Sequence, residues 1–185
     1  MKQLLAAITT IIALNSCTQD KPTITENSEI PATSQTGQSG VQDDVSNPNI
    51  VQVASGSKDH TTLVAAVKAA SLVDALSNAG PFTVFAPTND AFDKLPAGTV
   101  ENLLKPENIE TLKSILEYHT YVGVLKTDYF SDGQEYEEVS GQKIKISIVD
   151  GKPVINGKAH IIASIPTSNG IIHVIDEVLT APTSN

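Results

Sequence analysis

Arginine and tryptophan are absent from this chain of 185 residues, and cysteine and methionine occur once each. Without arginine, all twelve basic residues are lysines, and they stand against 21 acids for a formal net charge of -9. The planar fork that best grips phosphate is therefore missing. An acidic, arginine-free surface speaks against nucleic acid and against polybasic docking on anionic membranes. A single cysteine, Cys17, excludes an intrachain disulfide. Beyond the first twenty residues there is no apolar run long enough to span a bilayer, which takes about 20 residues of helix. The chain also lacks a His-Glu-x-x-His pattern, a P-loop, a dinucleotide fingerprint and a Gly-x-Ser-x-Gly elbow. Its hydrophobic fraction of 40% suits a globular domain rather than a fully disordered chain.

The N-terminus reads as an export signal. Lys2 forms a short positive region and Leu4 to Leu14 an apolar one, giving a signal peptide over residues 1–16. Leu14-Asn15-Ser16-Cys17 resembles a bacterial lipobox, which makes Cys17 the expected lipidation site and the first residue of the mature protein. Residues 17–47 are rich in Thr, Ser, Gln, Gly and acids without apolar periodicity, the composition of a disordered tether. At about 5–6 Å times the square root of length, some 30 such residues reach about 30 Å. The expected location is the cell envelope, lipid-anchored, on the periplasmic side or at the cell surface.

The folded part is expected over residues 48–182, with 183–185 a short tail. Its organising stretch is Phe82 to Phe92, which holds three of the four phenylalanines. Phe82 to Phe85 has the character of a buried strand, Pro87 ends it, and Thr88, Asn89 and Asp90 can cap a helix whose apolar face begins at Ala91 and Phe92. Ahead of it, Ile50, Val51 and Val53 suggest a strand. Asp59 or Thr61 can cap a helix bearing Leu63, Val64, Ala66, Val67 and Ala70, and a shorter helix covers Leu72 to Leu76. After it, Val100, Leu103 and Leu104 form a helical turn, and Ile109, Leu112, Ile115, Leu116 and His119 recur at helical spacing behind Pro106.

The second half changes period. Lys143 to Val149 alternates polar and apolar residues as a half-wet strand does. Asp150-Gly151 and Asn156-Gly157 are hairpin-turn dipeptides that mark strands near 143–149, 152–155 and 159–165. Asn169-Gly170 leads into Ile171 to Ile175, apolar on both faces and so a central strand. No internal repeat is visible. The class is α+β.

These residues carry a family resemblance. Gly80-Pro81-Phe82-Thr83-Val84-Phe85-Ala86-Pro87-Thr88-Asn89-Asp90-Ala91-Phe92 and Asn169-Gly170-Ile171-Ile172-His173-Val174-Ile175-Asp176-Glu177-Val178-Leu179, with Tyr118-His119 between them, resemble the fasciclin (FAS1) family along nearly the whole domain. Leu103 to Glu107 also fits. The resemblance implies a wedge-shaped β-sandwich with a layer of short helices, a role in adhesion or extracellular interaction, and no common catalytic activity. Its motif residues here are Phe82, Thr83, Phe85, Ala86, Pro87, Thr88, Asn89, Phe92, Asn169, Gly170, His173 and Val174, and Tyr118 and His119 are candidates for an interaction surface or for packing. In animal members an Asp-Ile dipeptide just upstream of the Asn-Gly turn is tied to integrin binding. Ser164-Ile165 stands there in this chain, so that role does not carry over.

Residue chemistry adds little. His60, His119, His160 and His173 form no metal pattern in sequence, and His173, between Ile171 and Ile175, reads as a hydrogen-bonded core imidazole. Asp128, Asp132, Glu135, Glu137 and Glu138 lack the spacing of a calcium loop and read as a solvated acidic loop. No catalytic residue, metal or cofactor is implied. The expectation is a monomeric, membrane-anchored binding module that attaches to a surface protein or glycan in adhesion, with an envelope scaffold as the alternative and an acid–base hydrolase a distant third.

Overall fold

The computed structural model describes residues 47–180. The expected signal peptide, Cys17, all of the expected tether but its last residue and the expected tail at 183–185 lie outside them. Six α-helices are described: α1 (Ile50–Gly56), α2 (Thr61–Ala69), α3 (Val73–Ser77), α4 (Asn89–Asp93), α5 (Thr99–Leu103) and α6 (Ile109–Tyr118). Seven strands accompany them: β1 (Phe82–Pro87), β2 (Thr120–Val122), β3 (Glu135–Glu137), β4 (Lys143–Val149), β5 (Lys152–Ile155), β6 (Ala159–Thr167) and β7 (Gly170–Ile175). Among the described residues no helix is long and apolar enough to cross a membrane.

The strands form one sheet in the order β2-β1-β7-β6-β5-β4-β3. Only β1 and β7 are parallel, with Phe82 opposite Gly170 and Pro87 opposite Ile175. This central pair is buried on both faces, and the period of two sends its side chains alternately to two cores. Val84, Ala86, Ile172 and Val174 face the helices, where they meet Ile50, Leu63, Val67, Leu76, Leu112 and Leu116. Phe85 and Ile175 point the other way, to Tyr118, Phe130, Ile144, Ile146 and Ile155. The sheet curls over this second core until its ends meet: Val139 N–H, just past β3, donates to the Thr120 carbonyl of β2 at 2.9 Å. Tyr121 and Tyr136 close the same seam, ring edge to ring face, with centroids 5.7 Å apart. The result is an α+β sandwich with one helical layer.

The region around Ile50, Val51 and Val53 is a helix, not a strand. Asn49 caps it: its side chain accepts from Gln52 N–H at 2.9 Å, and the Gln52 side chain accepts from Asn49 N–H at 2.8 Å. This reciprocal capping box satisfies two helix-start donors and decides an apolar run too short for its period to do so. Neither Asp59 nor Thr61 caps α2. Its donor is met from a distance, by Asn89 Oδ1, which accepts from Thr62 N–H at 3.1 Å and from the Thr61 hydroxyl at 3.2 Å. Asn89 Nδ2 in turn donates to the Lys58 carbonyl at 2.9 Å. Thr88 does cap its own helix, accepting from Ala91 N–H at 3.3 Å. Strands β2 and β3, three residues each, carry no readable alternation in the sequence. Glu138 is not part of a solvated loop, since only 3% of its surface is exposed.

Phe85, with none of its surface exposed, is the largest apolar group β1 places in the second core. Replacing it with alanine is expected to cost about 3–5 kcal/mol. A urea titration read by the loss of tyrosine ellipticity measures this, and a loss below about 1 kcal/mol would remove Phe85 from the core.

Candidate functional site

The residues singled out from sequence converge on the interior. Asn169 joins four elements. Its Oδ1 accepts from Ile50 N–H at 2.9 Å, and its Nδ2 donates to the Leu76 and Asn78 carbonyls at 2.8 and 2.9 Å. Its own carbonyl accepts from Phe82 N–H at 3.0 Å. One side chain thereby serves the start of α1 and the end of α3 while its backbone aligns β1 beside β7. The chains approach so closely here that a Cβ on Gly80 would meet the Asn169 carbonyl oxygen and one on Gly170 the Phe82 carbonyl.

His173 and Thr83 form a second clamp. Nothing in the carbonyl of Leu125 can donate, so His173 Nε2 carries the proton and donates to it at 2.6 Å. Nδ1 then accepts from the Ser164 hydroxyl at 2.8 Å. Thr83 Oγ1 donates to the Gly123 carbonyl at 2.7 Å and accepts from Leu125 N–H at 2.9 Å. Both side chains are wholly buried, and together they hold the segment after β2 against the central pair.

Tyr118 and His119 end α6 and turn inward, with 1% and 2% of their surfaces exposed, so neither ring is presented to a partner. The Tyr118 hydroxyl donates to the Lys143 carbonyl at 3.1 Å and accepts from Asn156 Nδ2 at 2.9 Å, tying the helix to β4 and to the turn after β5. His119 Nδ1 donates to the Ile115 carbonyl at 2.7 Å, which leaves Nε2 to accept from Leu179 N–H at 2.9 Å. The strap after β7 is thus pinned beneath the helices by a neutral imidazole. Burial holds the His119 pKa down at about 4, and it lowers those of His173 and His60 as well. Only His160 lies at the surface, donating from Nδ1 to Asp176 Oδ2 at 3.1 Å.

Two features were not legible in the sequence. The first is Glu138, whose two carboxyl oxygens are buried without a hydrogen-bond partner, and whose pKa is pushed up by burial to about 8. The second is a cavity of about 220 Å³ among the helices, walled by Leu63, Phe92, Leu103, Leu112, Leu116 and Leu179. Beside it lies a polar cleft of about 180 Å³ lined by Lys94, Asn156, Lys158 and Glu177. Among the described residues no group of three or more His, Cys, Asp or Glu side chains is placed to hold a metal.

The fasciclin domain model matches residues 58–181, from the turn before α2 to the strap after β7. The chain belongs to the fasciclin family. It is 52% identical to protein sll1483 of Synechocystis over 133 residues, 72% of this chain and 73% of that protein. It is 46% identical to protein sll1735 of the same organism, over 71% of this chain and 97% of the relative. Among solved structures, a FAS1 domain pair from the insect cell adhesion molecule fasciclin I shares the fold, with a TM-score of 0.61 and 22% identity. That match covers 72% of this chain and about half, 51%, of the two-domain chain. Fasciclin domains occur in adhesion-related proteins, the insect cell adhesion molecule fasciclin I among them.

Two pH effects of opposite sign follow. Between about pH 6.5 and about 4 the unfolded chain takes up a proton at His119 that the fold refuses. Stability is therefore present above pH 6.5 and falls with pH through that window, by on the order of 3 kcal/mol for this residue. His119→Leu should cost about 1–3 kcal/mol at pH 7, because Leu179 N–H loses its acceptor, and should lose less than the natural chain on acidification to pH 4. Urea titrations across the series measure both. Glu138 works the other way, since its folded pKa of about 8 exceeds the ordinary 4.5. Its contribution is intact below pH 4.5 and is lost as pH rises toward 8. Glu138→Gln should gain at least ~1 kcal/mol on the natural chain between pH 5 and pH 8, read from the same titrations.

Proposed function

We infer that this fasciclin domain is a membrane-anchored, extracytoplasmic binding module, held by lipid on Cys17 and acting in adhesion or surface attachment through protein or glycan contacts. The observation that carries this reading is where the polar chemistry goes. Thr83, Tyr118, His119, Asn169 and His173 spend their hydrogen bonds on the protein's own backbone and side chains. Side chains committed to holding strands and helices together leave recognition to the outer surface, and the fold is shared with an insect cell adhesion molecule. An exported anchor fits the same picture. A lipid on Cys17 and a tether of some 30 residues would raise the local concentration of the domain at a surface and strengthen weak contacts. Two acyl chains are needed for stable anchoring, as a diacylglyceryl group provides.

Detergent phase partition and limited proteolysis of intact cells test the reading together. The natural chain is expected in the detergent phase and Cys17→Ser in the aqueous phase. Protease added to intact cells is expected to remove the domain. Equal partition of both chains would overturn the anchor. Protection of the domain until lysis would overturn the adhesive role in favour of an internal envelope scaffold.

A further inference from the structure

We propose that the helical cavity and the polar cleft beside it form one binding site for a single-chain carboxylate amphiphile, its hydrocarbon tail among the helices and its head group against Lys94 and Lys158. The cavity, about 220 Å³, is walled almost wholly by aliphatic and aromatic carbon. Its one imidazole, His119, has both nitrogens engaged, by the Ile115 carbonyl and by Leu179 N–H. Water inside would find few partners there. Apolar cavities of about 150 Å³ stay dry and admit benzene, and this one is larger. Its charge-free wall suits a hydrocarbon chain.

The head group is read from the neighbouring cleft, which shares Leu95, Val178, Leu179 and Thr180 with the cavity. Lys94 Nζ donates to the Asp176 carbonyl at 2.8 Å, a contact that fixes the ammonium and leaves further N–H donors. Neither Lys94 nor Lys158 belongs to an ion pair among the described residues. With Glu177 as the one acid of the lining, two lysines leave the cleft with a surplus of one positive charge. That balance matches a monoanion. A lysine ammonium pairs with an anion as a point charge, and a carboxylate carries the single negative charge that this balance calls for. The strap over residues 177–180 lies against both spaces, pinned by His119, so it is the element that sets tail beside head.

The test uses the full-length chain carrying Cys17→Ser, purified without detergent and titrated calorimetrically with hexanoate, octanoate, decanoate and 1-octanol at low salt. Affinity is expected to rise about fourfold per added methylene until the cavity is full, then level off. Octanoate should bind at least ~10-fold tighter than octanol, about the worth of one charge-assisted contact. The double variant Lys94→Met/Lys158→Met should erase that difference while octanol binding persists. Ile115→Phe should block both ligands by filling the cavity. If that variant fails to fold by circular dichroism, the surface lysine pair still decides. Absence of saturable binding for every carboxylate would overturn the site. So would octanoate and octanol binding equally, or a lysine variant that binds octanoate as the natural chain does.

Discussion

The parallel contact between β1 and β7 depends on Asn169, and the rest of the domain depends on that contact. A buried backbone donor or acceptor left without a partner costs about 1–3 kcal/mol. Asn169 satisfies one donor of α1 and two carbonyls at the end of α3, with its side chain fully used. Its neighbours Gly80 and Gly170 have no Cβ because the opposing backbone occupies that space. A polar knot of this kind gives orientation that apolar burial cannot, since burial is non-directional. With the knot in place, alternate residues of both strands fall into opposite cores, and the two layers are set relative to one another.

The same logic runs through the buried histidines and hydroxyls. His173 and Thr83 clamp residues 123–125 and His119 clamps the strap after β7, segments with no regular strand or helix partner at that point, while Tyr118 ties the end of α6 to the start of β4. Histidine suits the task because one ring can donate and accept at once while neutral. The consequence is a fold whose interior tolerates neutral pH and resists protonation, with Glu138 as an opposing element that resists ionisation. The family-motif residues Thr83 and His173, and the Tyr118-His119 pair, are here structural.

The helical layer is made of short pieces, and α4 and α5 have five residues each. Short helices joined by turns cover a sheet without interdigitating along a full ridge, and the uncovered volume collects where α2, α5 and α6 meet the strap. Natural cores are packed near the density of organic crystals. An aliphatic hollow of this size therefore stands out in the helical layer, and a lysine-lined cleft adjoins it.

Much was legible in the residues themselves. Asp150-Gly151 and Asn156-Gly157 place the hairpins because only a few residues accept the left-handed backbone, and β4 and β5 lie where those turns require. The spacing of Ile109 to His119 gives α6, and the doubly apolar run after Gly170 gives a strand buried on both faces. Local chemistry was enough because turn geometry and side-chain period are local. Tertiary structure decided the remainder. Ile50 to Val53 became helix through a capping box and through Asn169, 119 residues away in the chain. The cap of α2 came from Asn89, across 27 residues, and two three-residue strands closed the sheet where no period could show. Glu138 lost its solvent, and the cavity opened, only when distant segments packed. Such features belong to pairs of residues far apart in sequence, and no single stretch carries them.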